Sequence, residues 1–159
     1  MFMDKKIKLE ELHKAALDIL NKARKTQPET ATIVTLSGDL GAGKTTLTQE
    51  IAKTLGVKET INSPTFVIMK KYVLPLLRGS AQRARGSYNS FKNLIHIDAY
   101  RLNSQEDLLK IGWQEMFLNK ENLIIIEWPE NIAGLIGEHG VKVKLEHIDE
   151  DTRHIAFER

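Results

Sequence analysis

The chain lacks several features that would place it in familiar classes of protein. It has no cysteine among its 159 residues, which excludes disulfides and thiolate metal sites. No apolar run is long enough to span a bilayer, and the opening residues, MFMDKKIKLEELHK, have no apolar centre of the kind found in signal peptides. We therefore expect no membrane association and a cytoplasmic location. The length predicts a single domain over residues 1–159.

Acidic residues are missing between Glu59 and Asp98, although the whole chain has a net charge of only +2. This interval holds six positive charges, at Lys70, Lys71, Arg78, Arg83, Arg85 and Lys92. Residues 74–92 show no helical or strand periodicity, so we predict a long basic surface loop there. Such a loop is either simply solvated or contacts an anionic partner such as RNA.

The most informative segment that is present is GDLGAGKTT, residues 38–46. Its spacing is G-x-x-x-x-G-K-[ST], and it lies between a β-branched run, ATIVTL, and an amphipathic segment, KTTLTQEIAKTL. In this strand–loop–helix context, backbone amides and the helix N-terminus favour a polyphosphate. Lys44 would contact the β and γ phosphates, and the Thr45 hydroxyl would bind Mg²⁺. The predicted nucleotide-binding residues of the loop are Gly41, Ala42, Gly43, Lys44, Thr45 and Thr46.

Strands and helices alternate along the chain, which predicts an α/β fold. We expect strands over residues 31–36, 66–73, 93–98 and 122–128, helices over 8–24, 44–55 and 104–117, and a hairpin over 141–158. The predicted architecture is therefore P-loop NTPase-like, with a mostly parallel central sheet flanked by helices and a C-terminal antiparallel hairpin.

Two carboxylates follow predicted strands and compete for the metal. Asp98 ends NLIHID and Glu127 ends NLIIIE, and either could instead cap a turn. We favour Glu127, because three isoleucines before it indicate a buried strand. A guanine nucleotide is disfavoured, since Asp98 does not begin a D-x-x-G motif and the segment NKEN at 119–122 lacks the final aspartate of N-K-x-D and precedes a strand. We therefore expect adenine as the base.

Four motifs in order resemble those of the bacterial TsaE family: GDLGAGKTT, then SPTF at 63–66, H-x-D-x-Y-R at 96–101, and IEWPE at 126–130. The resemblance implies a small Mg²⁺-dependent ATPase that acts on the TsaB–TsaD complex, which makes threonylcarbamoyladenosine in tRNA. It would reach tRNA through that complex or through the basic segment. By resemblance, Thr65 is a switch threonine, Asp98 orients water, Glu127 binds Mg²⁺, and Glu130 belongs to the nucleotide site.

Four other motif residues have open roles. Trp128 packs either near the nucleotide or in the core, and Tyr100 and Arg101 are either structural or part of the site. His96 is expected to be a core histidine. The basic segment is longer than the short turn expected of the family.

Two other functions stay open. A P-loop kinase of a small metabolite would use the basic segment as a lid, and a binding module would bind ATP without turnover.

Overall fold

The computed structural model describes residues 4–26, 29–64, 66–75, 91–137 and 140–158. Thr65 and residues 76–90 of the basic segment lie outside these ranges, so the predictions made for them stay predictions. Within the described ranges, no helix is long and apolar enough to cross a membrane.

Seven strands and five α-helices make up the described fold. The strands are β1 (Asp4–Lys8), β2 (Thr32–Ser37), β3 (Met69–Val73), β4 (Asn93–Asp98), β5 (Asn122–Glu127), β6 (Val141–His147) and β7 (Thr152–Phe157). The helices are α1 (Leu12–Thr26), α2 (Lys44–Thr54), α3 (Gln105–Lys110), α4 (Trp113–Leu118) and α5 (Ala133–Ile136). Short 3₁₀ turns cover Leu9–Glu11, Ala99–Arg101 and Pro129–Ile132.

All seven strands join one sheet in the order β1-β7-β6-β2-β5-β4-β3. The α/β fold and the C-terminal antiparallel hairpin, β6–β7, are confirmed. The prediction of a mostly parallel sheet holds only for the four central strands, β6-β2-β5-β4. Both edges are antiparallel, with β3 on β4 at one edge and β7 and β1 at the other.

The sheet is covered on both faces, and β5 shows how one strand serves both. Leu123 and Ile125 pack with α1 and α2 in one apolar cluster, while Ile124 and Ile126 pack in a second cluster with α3, α4 and α5. All four side chains are fully buried. This two-sided burial explains the continuous apolar run in the sequence, and it holds the carboxyl ends of β2, β4 and β5 at one edge.

Three predicted element boundaries are wrong. The helix predicted from Lys8 begins at Leu12, because residues 4–8 pair with β7 as an edge strand in which only Ile7 is buried. The helix predicted over 104–117 is split at Gly112, whose φ of 87° is left-handed. The strand predicted from Phe66 begins at Met69, because the preceding chain turns and Ile68 has a φ of 66°.

Candidate functional site

The glycine-rich loop lies at the carboxyl edge of the sheet, between β2 and α2. Gly38 has a φ of 132°, and a Cβ there would overlap the carbonyl of Leu145 on β6. Gly43, with a φ of 101°, is the N-terminal cap of α2. Gly41 is exposed with a φ of 80°, and Ala42 is fully buried. The loop therefore needs glycine at these positions for its shape and for its close approach to β6.

The Lys44 side chain folds back over its own loop. Its Nζ donates hydrogen bonds to the carbonyl oxygens of Gly38 at 2.6 Å and Asp39 at 2.8 Å. The same atom lies 3.8 Å from the centroid of the Trp128 ring, in a cation–π contact. Contacts with phosphates would therefore have to replace hydrogen bonds that Lys44 already makes.

Lys44 is also more buried than a position at the mouth of the loop would suggest. Only 5% of the residue is exposed. Burial lowers the pKa of the Lys44 ammonium, while the carboxylates of Glu127, Glu130, Asp98 and Asp39 act in the opposite direction. The loop thus holds a cation in a site that desolvates it.

Glu127, the last residue of β5, contacts both the start of α2 and the neighbouring strand β4. Its Oε2 accepts a hydrogen bond of 2.9 Å from the Thr45 hydroxyl, and its Oε1 lies 2.7 Å from Nε2 of His96 on β4. The side chains of Glu127 and His96 are 2% and 0% exposed. The predicted core position of His96 is confirmed, but its contact with the candidate metal residue was not predicted.

Asp98 lies directly across from Glu127 in the register of β4 and β5. Its Oδ2 accepts a hydrogen bond of 2.7 Å from the Ser63 hydroxyl, and its Oδ1 accepts one of 3.0 Å from the backbone amide of Tyr100. The residue is 3% exposed. Asp98 therefore ties the S-P-T-F segment to the turn after β4, which brings two of the sequence motifs together.

An open cleft of about 620 Å³ lies next to Trp128. Tyr100, Trp128 and Glu130 contribute to its lining, and the rings of Tyr100 and Trp128 lie 5.1 Å apart. Trp128 has a left-handed backbone, with a φ of 59°. Arg101 points elsewhere and stacks on the exposed Phe66 ring at 4.7 Å. Trp128 and Tyr100 thus belong to the surroundings of Lys44, while Arg101 lies with the S-P-T-F segment.

The oxygen donors near the loop suit Mg²⁺ in combination with a nucleotide. Among the described residues, no group of three or more histidine, cysteine or acidic side chains could hold a metal by itself. The Thr45 hydroxyl and the Glu127 carboxylate are hard oxygen donors in contact with each other. Mg²⁺ is commonly held by one or two such groups together with phosphate oxygens and waters. The donor set therefore fits this ion.

The segment 119–122 lies far from this edge. Asn119 accepts a hydrogen bond from the backbone of Glu121 through its side chain and one from Asn122 through its carbonyl, which forms a turn before β5. The prediction of a turn is confirmed.

Arg153, on β7, is a buried cation near the loop that the sequence analysis missed. Its position depends on how the hairpin packs, and no motif marks it.

Comparisons with known proteins agree on one family. A family model with the description "Threonylcarbamoyl adenosine biosynthesis protein TsaE" matches residues 8–155. The chain is 33% identical to a tRNA threonylcarbamoyladenosine biosynthesis protein TsaE from Haemophilus influenzae, over 84% of this chain and 73% of that protein. It is 32% identical to the protein of the same name from Bacillus subtilis, over 79% and 68%. The crystal structure of Bacillus subtilis YdiB superposes with a TM-score of 0.66 at 26% identity, covering 99% of this chain and 86% of that one.

Proposed function

Since the chain belongs to the TsaE family, we propose that it is a Mg²⁺-dependent switch protein that binds and hydrolyses ATP and thereby supports threonylcarbamoyladenosine modification of tRNA. Its partner in this proposal is the TsaB–TsaD complex in the cytoplasm. The family membership supports the pathway, and the geometry of the loop supports the nucleotide.

One observation carries the nucleotide part of the proposal, the hydrogen bond of 2.9 Å between the Thr45 hydroxyl and the Glu127 carboxylate. A hydroxyl at the start of a loop-following helix and an acid at the end of the neighbouring strand are the two protein groups that P-loop NTPases use for Mg²⁺. An ordinary glycine-bearing turn has no need for a buried acid at this point. The contact therefore favours a phosphate site over a simple turn.

In this proposal, each group at the site has a separate role. Loop amides and the start of α2 orient the phosphates. Lys44 neutralises negative charge that develops on them, after exchanging its bonds to Gly38 and Asp39 for phosphate oxygens. Thr45 and Glu127 would hold Mg²⁺ when it is bound, and the ion would supply positive charge that reduces the negative charge of the phosphates. Asp98, held by Ser63, remains the candidate for orienting the attacking water.

The experiment combines Mg²⁺-titrated ATP binding with hydrolysis measured as ADP formed without any acceptor. Lys44→Ala should reduce hydrolysis to background, and Glu127→Gln should weaken binding and turnover in a Mg²⁺-dependent way. Lys53→Ala is the matched control, because Lys53 is an exposed lysine on the same helix, paired with Glu50 at 3.5 Å. ADP formation should be tested with and without TsaB–TsaD.

Three results would contradict the proposal. The nucleotide assignment fails if folded Lys44→Ala hydrolyses ATP as the unmodified chain does. ADP that forms only when a small acceptor is added would indicate a kinase instead. Tight binding without turnover, even with the partners present, would indicate a binding module.

A further inference from the structure

Arg153 is a buried cation held by the C-terminal hairpin. The residue is 8% exposed. Its Nη1 donates to the carbonyl oxygens of Asp149 at 2.7 Å and Thr152 at 2.9 Å, with a longer contact of 3.5 Å to Glu150. Its Nε is buried and has no hydrogen-bond partner among the described residues. One end of the guanidinium is thus anchored to a turn, and the other end carries an unused donor.

The Nε of Arg153 lies against the glycine-rich loop. A Cβ built on Gly43 would be 3.6 Å from Nε of Arg153. Gly43 is the residue before Lys44 and the N-terminal cap of α2, an eleven-residue helix. The hairpin brings the guanidinium there because β6 runs parallel to β2 and extends past its end, beside the loop. The structure therefore places a helix N-terminus beside a buried guanidinium whose Nε has no hydrogen-bond partner among the described residues.

Both features are unfavourable unless an anion is nearby. A buried charge without a counterion is costly, and none of the ion pairs found among the described residues includes Arg153. The start of α2 adds partial positive charge at the same place. Backbone carbonyls of the hairpin turn compensate the guanidinium only on its Nη1 side. A polyphosphate on the loop would supply the missing negative charge.

We propose that Arg153 is a second cationic determinant of nucleotide binding, which acts on the phosphates from behind the loop, in addition to Lys44. The inference rests on the proposed function, since it assumes that the loop binds a polyphosphate. The ligand class is a nucleoside di- or triphosphate, recognised here by its phosphates and not by its base.

The test compares Arg153→Met, which removes the charge, with Arg153→Lys, which keeps it but cannot reproduce the Nη1 bonds. Dissociation constants are measured by calorimetry for Mg·ATP and for sodium tripolyphosphate, which has no base. For an assumed separation of about 10 Å between two unit charges and an effective dielectric constant of about 20, Coulomb's law gives a loss of about tenfold or more. Arg153→Met should show this loss for both ligands, and Arg153→Lys should lose about threefold or less.

Thermal unfolding without nucleotide separates this role from a structural one. Both variants lose the bonds to the hairpin turn, so both should melt at similarly reduced temperatures, while only Arg153→Met loses affinity. Lys144→Met is the matched control. It removes an exposed charge from β6, where Lys144 pairs with Glu146 at 2.9 Å, and it should change neither quantity appreciably.

Three outcomes would overturn the inference. Equal affinities of Arg153→Met and the unmodified chain would make Arg153 a hairpin residue only. A loss for Mg·ATP but not for tripolyphosphate would assign Arg153 to the base or ribose. Equal losses in Arg153→Met and Arg153→Lys would show that the charge is not what acts. If the unmodified chain itself binds no ATP while Lys44→Ala behaves identically, the proposed function fails first.

Discussion

Removing His96 tests whether the buried pair with Glu127 organises the site. His96→Leu leaves the Glu127 carboxylate, 2% exposed, with the Thr45 hydroxyl as its remaining side-chain partner. A hydrogen bond to a charged group contributes about 1.5–3 kcal/mol, and a buried acceptor left without its partner adds a desolvation cost. We therefore expect a loss of about 2 kcal/mol or more in the free energy of unfolding. For a chain of this size that corresponds to about 4–8 °C in melting temperature.

The choice of control follows from the geometry. His96 contacts Glu127 through Nε2 at 2.7 Å, and the amide nitrogen of glutamine reaches a similar distance from the backbone. His96→Gln keeps the donor and should recover much of the stability. The double variant His96→Leu with Glu127→Leu removes both polar groups, and it should be more stable than His96→Leu alone because the Glu127 carboxylate no longer lacks its partner.

The assay is urea unfolding combined with Mg²⁺-titrated ATP binding. His96→Leu should require more Mg²⁺ for half-maximal binding, because one oxygen of Glu127 loses the group that orients it. His96→Gln should lie close to the unmodified chain in both measurements. The reasoning is refuted if His96→Leu is as stable as the unmodified chain and responds to Mg²⁺ in the same way. It is also refuted if His96→Gln is as impaired as His96→Leu.

Three further predictions concern Lys44, Trp128 and the basic segment. Because burial lowers the pKa of Lys44 below 10.5, the unfolded chain binds more protons than the folded chain as pH approaches that value. This group therefore makes stability rise with pH there, and Lys44→Met should abolish that rise in urea unfolding. In a Trp113→Phe background, Trp128 emission should change when ATP draws Lys44 off its ring, and Lys44→Met should remove the response. Replacing residues 76–90 by a short glycine-containing turn should leave ATP affinity nearly unchanged, whereas lost ATP binding would indicate a lid. If the arginines of this segment bind RNA, the replacement should reduce the slope of log K against log salt concentration for tRNA binding by about two to three.

The central part of the fold could be predicted because its signals are local. Strands β2, β4 and β5 are six-residue segments with three or four apolar side chains each, buried on both faces, and α2 follows a glycine-rich loop of recognisable spacing. The edges could not be predicted in the same way. β1 has the sequence DKKIK, whose four charged residues give no strand pattern. This segment is a strand because it pairs with β7. Strand direction at the edges likewise depends on tertiary pairing, which periodicity does not encode.

In the candidate site too, motifs identify individual residues but not their tertiary contacts. Lys44, Thr45, Asp98 and Glu127 could be chosen from motifs, and the structure brings Thr45 and Glu127 into contact while Asp98 lies in the next strand of the sheet. The roles assigned to them remain predictions. The partner of Glu127 could not be chosen, because a histidine inside an apolar strand is equally compatible with a core position.

The arrangement around Lys44 suggests how nucleotide binding could reach the surface of the molecule. Lys44 is held by two carbonyls of its own loop and by the Trp128 ring, so a phosphate ligand must compete with bonds inside the protein. Trp128 in turn contacts Tyr100, which is 54% exposed. A change at Lys44 therefore has a short path, through two aromatic rings, to an exposed side chain. The backbone of Tyr100 is tied to Asp98, and Asp98 to Ser63, so the same step also bears on the S-P-T-F segment. The proposed switch needs a contact that nucleotide binding would break, and we propose the Lys44–Trp128 contact for that role.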